Sequence, residues 1–346
     1  MPSTHRAVRG WSLAALMVAT LTLGACSSGS VDPVASVPVA SPPVSASPSP
    51  SEPEVQRSLL SGRPGEEDGP VLAVKLDNTY NAAPHAGLPD ADVVYLEQVE
   101  GGLTRYAAVF STRIPKVIGP IRSARIADLE LLPQYGRLAF AYSGANPQLR
   151  PVLARMPWYD VSGDRGSIGY WRQAGRYPPY DFFGNGVTLL KRAPKAQKPN
   201  DVGFTFADEV PLGGRPVSTV STRWPSARAS FTWSGKKDRW LLTMDGRKAM
   251  ATDRSQLGGT TVIVQYVDIY PSSYGDRYGG ITPMSDTVGA GRALILRDGQ
   301  AFDGRWSRTG LNQGTTWTVG GEEFPLAPGQ VWVLLVKKGQ KATEQK

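Results

Sequence analysis

The chain has 346 residues, 40% hydrophobic and 9% aromatic, enough for two ordinary domains or one large one with a real core. With 38 glycines and 29 prolines it falls short of wholesale low complexity, which argues against a collagen-like, coiled-coil or mostly unfolded chain. Two histidines and one cysteine exclude any site built from several imidazoles or thiolates, and a formal charge of +8 suits work beside anionic lipids or wall polymers.

Residues 1–25 read as an export signal. His5, Arg6 and Arg9 precede an apolar run from Trp11 to Leu23, which is shorter than the roughly 20 residues a spanning helix needs. Leu23-Gly24-Ala25-Cys26 closes it and looks like the lipobox of a bacterial lipoprotein. Cys26 is thus the expected lipidation site, and the expected location is the cell membrane, lipid-anchored on its extracytoplasmic face. Residues 26–68 are rich in Ser, Pro, Val and Ala and cannot bury enough apolar surface to offset their ordering entropy, so they read as a disordered tether. A protein with this address is not expected to meet nucleic acid, and nothing in the sequence speaks to its oligomeric state.

From residue 69 the apolar runs begin. Strands are predicted over Val71–Leu76, Asp92–Glu97 and Leu103–Phe110, with Glu100-Gly101-Gly102 as a turn or bulge and a short fourth strand over Lys116–Gly119. Ser123 is a plausible N-cap for a helix through Leu132; Leu138–Tyr142 reads as a buried strand and Pro147–Met156 as a second helix. This alternation predicts a mixed α/β domain over residues 69–205. Beyond it, Ala229–Met244, Thr261–Tyr270, Arg292–Leu296 and Val331–Val336 are strand-like, and Asp298-Gly299 marks a hairpin. Residues 206–340 are therefore expected to form a smaller, mainly β domain.

The familiar catalytic signatures are absent, and once a signal is cleaved only His85 remains to serve as an imidazole base. Charged groups do gather at the ends of the first domain's apolar elements. Asp77 follows the first strand, Glu97 and Glu100 flank the end of the second, and Arg105 comes just after the glycine turn. Arg122, Ser123 and Arg125 fall where the first helix should start, a place that favours anions and that arginine's forked donors would reinforce. Tyr142, Ser143 and Asn146 end the next strand, and Trp171 and Arg172 open an aromatic, proline-rich stretch suited to a carbohydrate or peptide surface.

Several of these runs are similar to the YerB-like lipoproteins: Lys75-Leu76-Asp77-Asn78, Val99-Glu100-Gly101-Gly102-Leu103-Thr104-Arg105 and Ile121-Arg122-Ser123-Ala124-Arg125. Pro178-Pro179-Tyr180-Asp181, Ala301–Trp306 and Leu326–Trp332 extend the likeness across both halves. The resemblance implies a lipid-anchored, two-domain envelope protein and brings no established reaction.

Two readings follow. In the first the protein binds an anionic envelope ligand, a phosphate-bearing glycan or lipid-linked precursor, gripped by Arg105, Arg122, Ser123, Arg125 and Arg172 and shaped by Tyr142, Ser143 and Trp171. In the second Asp77, Glu97 and Glu100 serve a hydrolase or transferase of envelope glycans or phosphodiesters, with a divalent cation as the cofactor such chemistry would use. No cofactor is otherwise required by the sequence. A third option, a scaffold that docks an envelope protein through the β domain, is neither supported nor excluded.

Overall fold

Valine, isoleucine, leucine and aromatic residues make up the apolar runs, and strands dominate accordingly. The computed structural model describes residues 56–276 and 278–346; the signal-like segment, Cys26 and the Ser/Pro-rich stretch through residue 55 lie outside the described residues. In chain order the strands are β1 (Leu72–Asp77), β2 (Val93–Gln98), β3 (Thr104–Phe110), β4 (Ala139–Ala141), β5 (Tyr159–Asp160), β6 (Tyr170–Arg172), β7 (Phe182–Gly184) and β8 (Arg215–Pro216). They continue with β9 (Thr219–Trp224), β10 (Ala227–Ser234), β11 (Arg239–Met244), β12 (Arg247–Lys248), β13 (Gly258–Gly259), β14 (Thr261–Val267), β15 (Ile269–Gly275) and β16 (Ile281–Ser285). The last are β17 (Gly289–Arg297), β18 (Gln300–Arg308), β19 (Thr316–Val319), β20 (Glu322–Glu323), β21 (Val331–Lys337) and β22 (Thr343–Gln345).

One mixed sheet draws on both halves of the chain, in the order β20-β19-β18-β17-β14-β21-β2-β3-β1-β4-β5, with β8 added beside β18. Its seam is β21, which pairs in parallel with β14 on one side and with β2 on the other, from Val93↔Val331 to Leu96↔Leu334. The two expected domains thus share a sheet. The predicted Asp298-Gly299 hairpin joins β17 to β18, with both residues in the left-handed region at φ 50° and 71°.

A second sheet, ordered β12-β11-β10-β9-β22 with β13 beside β11, covers one face of the first. Leu72, Val74 and Leu76 of β1 and Val94 and Leu96 of β2 point to that side, where Phe231, Trp240 and Leu242 meet them in one core. Alternate residues, among them Ala73, Val93, Tyr95 and Val109, face the opposite side and pack beneath short helices and loops.

The helices depart from expectation. They are α1 (Asp128–Leu131), α2 (Arg150–Leu153) and α3 (Gly186–Lys191), and only α3 has a side-chain cap, Asn185 accepting from Thr188 N at 2.9 Å. The helix predicted from Ser123 to Leu132 shrinks to one turn because the backbone around its start bonds to other segments instead. Arg122 N donates to Lys75 O at 2.9 Å and Ala124 N to Gly144 O at 3.0 Å, so tertiary ladder bonds outcompete local helical ones. The helix predicted over Pro147–Met156 likewise contracts to α2. The first half is therefore a strand-dominated mixed sheet with helices of one to two turns, rather than a layered α/β unit. Among the described residues no helix is long and apolar enough to cross a membrane.

The tether predicted to reach residue 68 is corrected as well. Leu60 is fully buried, Ser58 Oγ donates to Asp68 Oδ1 at 2.8 Å, and Gly329 N donates to Ser61 O at 2.6 Å. Residues 56–68 belong to the body because Leu60 finds a place in its core.

Trp332 on β21 is fully buried, edge-on to Tyr106 of β3 at 5.5 Å and to Phe231 of β10 at 5.7 Å, so it ties both halves and both sheets together. Trp332→Ala is expected to cost about 3–5 kcal/mol. Far-UV circular dichroism and tryptophan fluorescence in urea should still report one shared transition, since β2 and β21 cannot part separately.

Candidate functional site

Register places the central charge. Arg105 on β3 lies opposite Asp77 of β1 and opposite Glu97 of β2, so all three side chains leave the same face of three neighbouring strands. Neither acid pairs with it. Arg105 is 7% exposed, its Nη1 donates to Ser123 O at 3.0 Å, and among the described residues it makes no ion pair. Asp77 turns to Arg122, whose Nε donates to its Oδ2 at 2.8 Å, Glu97 turns to Lys75, and the neighbouring Glu100 accepts from Arg125 Nε at 2.9 Å through Oε2. Three guanidinium groups thus crowd two carboxylates.

The electrostatics follow. Burial, reinforced by Arg125 and Arg122, pulls the Arg105 guanidinium down to about 9, which marks an under-compensated cation that still carries its charge at neutral pH. Burial alone would raise the Asp77 carboxyl, but hydrogen bonds from Thr79 N and Oγ1 (2.8 and 2.6 Å) and the charges of Arg105 and Arg122 hold it below its ordinary value. Glu100 behaves alike: burial would raise it, and Arg125 with the Thr282 hydroxyl keeps it low.

These groups line a cleft of about 870 Å³. The connection Arg122–Arg125 and the loop Ser143–Pro147 form one part of its lining; Arg172 and Pro178–Tyr180 form another. The β15–β16 hairpin supplies Gly275, Asp276, Tyr278 and Thr282, so the chain's second half contributes to a cleft built on the first. Asn146 Nδ2 donates to Gly275 O and Thr282 Oγ1 to Glu100 Oε1, which fastens the hairpin down. Glu100 is aimed by a turn that needs glycine: Gly102 sits at φ 71°, and a Cβ there would fall 2.5 Å from Pro225 Cβ.

Of the residues singled out in the sequence, Asp77, Glu100, Arg105, Arg122, Ser123, Arg125, Ser143 and Arg172 converge on the cleft. Tyr142 does not, because its buried hydroxyl donates to Asp160 Oδ2 at 2.8 Å. Trp171 also turns away, its Nε1 donating to Gln173 Oε1 at 3.0 Å. Glu97 is sealed beneath the cleft at 0% exposure. The helix-dipole argument for Arg122 and Arg125 is corrected: they stand ahead of the helix on irregular backbone, and α1 begins later with Asp128 and Glu130 in its first turn. Thr79, Arg150, Asp276 and Thr282 were not singled out in the sequence, because register and long-range packing bring them in.

His85 is buried outside the cleft lining, Nε2–H donating to Asp77 O at 2.7 Å, and burial lowers it to about 4, so it stands neutral and buttresses the end of β1. Among the described residues no group of three or more His, Cys, Asp or Glu side chains is placed to hold a metal ion.

Residues 60–200 match the N-terminal domain of a protein family of unknown function, DUF3048, and residues 220–333 match its C-terminal domain. The chain is 25% identical over 275 residues to a Bacillus subtilis (strain 168) protein, YerB, named as a candidate lipoprotein; the match covers 77% of this chain and 80% of that one. The crystal structure of the Bacillus subtilis YerB protein superposes with a TM-score of 0.71 at 20% identity, over 84% of this chain and 100% of the other. That likeness establishes a common fold.

Beneath the cleft Lys75 lies between Glu97 and Asp128, all three with side chains at 0% exposure and Lys75 Nζ 2.9 Å from Asp128 Oδ1. One cation faces two acids. Burial, offset in part by Lys75 and reinforced by Asp128, pushes the Glu97 carboxyl up to about 7. The folded protein then binds more protons here than the unfolded chain between pH 4.5 and about 7. Glu97's contribution to stability is full below 4.5 and is lost as pH rises through 7. Urea unfolding should show Glu97→Gln flattening the decline across that window, a difference of about 3 kcal/mol at most.

Proposed function

As the chain belongs to the DUF3048 (YerB-like) family, whose molecular function is unknown, we propose that it is a lipid-anchored extracytoplasmic protein whose cleft holds an anionic envelope ligand, a phosphate-bearing glycan or lipid-linked precursor. The observation that carries this reading is Arg105, a buried guanidinium opening on the cleft with no carboxylate in ion-pair contact among the described residues. An oxyanion placed there would meet unspent donors in surroundings where charge is weakly screened. It would also relieve the mutual repulsion of Arg105, Arg122 and Arg125. The name of the Bacillus relative and the Leu23–Cys26 motif support the anchored, exported part of the reading.

The carboxylates speak less for catalysis. Asp77 and Glu100 each meet an arginine, Glu97 meets Lys75, and none stands ready as a free acid or base.

Titration calorimetry with glycerol 1-phosphate, N-acetylglucosamine 1-phosphate and a short-chain polyprenyl phosphate tests the cleft. Arg105→Ala should weaken whichever binds by about 10- to 100-fold with the fold retained, and Arg105→Lys should recover only part of that, since it loses the fork. Unchanged affinity in a folded Arg105→Ala protein, or no binding of any of the three, overturns the reading. The anchor is tested separately. On detergent phase separation the protein expressed in a Gram-positive host should enter the detergent phase, and Cys26→Ser should remain in the aqueous phase.

A further inference from the structure

Across one short segment from the cleft lies a second basic recess, of about 690 Å³, lined by Tyr80, Asn81, Ala83 and Pro84 together with Lys248, Met250–Thr252 and Arg254. Asp77 and Thr79 line the cleft while Tyr80, Asn81, Ala83 and Pro84 line the recess, so a single stretch of chain separates them. Three cations mark this second depression. Arg247, Lys248 and Arg254 are exposed, and among the described residues none makes an ion pair. Arg247 lies 3.9 Å over the ring of Tyr80, which is 70% exposed on the dividing ridge. Asp253 is the carboxylate nearest in sequence, and it is engaged by Ser255 N and Oγ at 2.9 and 2.7 Å.

The segment between the two depressions is held in place. Arg176 donates to Ala82 O at 2.9 Å and to Pro84 O; His85 N donates to Met250 O at 3.0 Å, and Thr252 N to His85 O at 2.9 Å. The ridge therefore presents a fixed floor between two basic depressions, with an exposed aromatic ring at its crest. A small monoanion would use the cleft alone and leave this second set of cations idle.

We infer that the ligand is a chain of repeating anionic units, which enters the cleft by one oxyanion and runs over Tyr80 so that later units meet Arg247, Lys248 and Arg254. This rests on the anion-binding reading of the cleft and adds to it the polymeric character of the ligand. Phosphodiester-linked polyols and uronate-containing glycans share the required chemistry of spaced oxyanions on a hydroxylated backbone. The recess gains through effective concentration: once the first anion is seated, the second contact is intramolecular.

Binding is measured for glycerol 1-phosphate, for defined glycerol-phosphate oligomers of two to ten units, and for oligogalacturonates of matched length. Affinity should rise at least about tenfold between the monomer and the longest chain of whichever series binds. Lys248→Glu combined with Arg254→Glu should erase that gain and leave monomer affinity unchanged. Lys236→Glu with Lys237→Glu, exposed at the far end of the β10–β11 hairpin, should leave the gain intact, which excludes unspecific attraction of a polyanion. A length series that stays flat while the monomer still binds through Arg105 overturns the polymer inference and spares the cleft. A gain lost equally in both charge-reversed pairs also overturns it. Absence of binding in every series sinks both readings.

Discussion

Everything at the cleft depends on the parallel pairing of β2 with β21. Four consecutive residue pairs, Val93↔Val331 to Leu96↔Leu334, turn two stretches of chain more than two hundred residues apart into neighbours in one sheet. Parallel strands need a long connection between them, and here most of the protein is that connection. Because β2 is fixed against β21, and β21 against β14, the hairpin that follows β14 comes to rest against β2 and the Glu100–Gly102 turn that follows it. There Thr282 and the Gly275 carbonyl find Glu100 and Asn146.

The second constraint is one of charge under limited solvation. Strand register places Arg105 between two acids, and yet each acid finds a different cation: Asp77 takes Arg122, while Glu97 sinks toward Lys75. Buried charges are tolerated only with compensation. On the acid side, Lys75 faces two carboxyl groups and Glu97 is raised to about 7, so protonation relieves the crowding there; on the basic side, the arginines outnumber Asp77 and Glu100, and no such relief is at hand near neutral pH.

Much of this was legible in the residues, and the part that was not has a physical reason. Short β-branched runs announced β1, β2, β3, β14 and β21, and Asp298-Gly299 announced a tight hairpin, because both signals are local. The Glu-Gly-Gly and Arg-Ser-Ala-Arg runs pointed to residues that do meet in space. The helix over 123–132 misled, since its apolar spacing was genuine but the backbone of Arg122 and Ala124 had better partners in Lys75 and Gly144. Tyr142 and Trp171 looked like binding residues by composition, but each side chain finds a hydrogen-bond partner away from the cleft, in Asp160 and Gln173. Nothing in the sequence could bring Asp276 or Thr282 to Glu100, because that proximity exists only after strands distant in the chain have paired.

The contact between Gly102 and Pro225 couples two parts of the molecule mechanically. Pro225 sits in the turn between β9 and β10 of the covering sheet, and it packs so closely that the Glu100–Gly102 turn has no room to slide past it. Ser226 N also donates to Gly102 O at 3.0 Å, so the turn that carries Glu100 is pinned to the covering sheet by both packing and a hydrogen bond. The covering sheet thus serves as a clamp, and the geometry of the Glu100–Arg125 pair is underwritten by residues on the far side of the fold from the cleft.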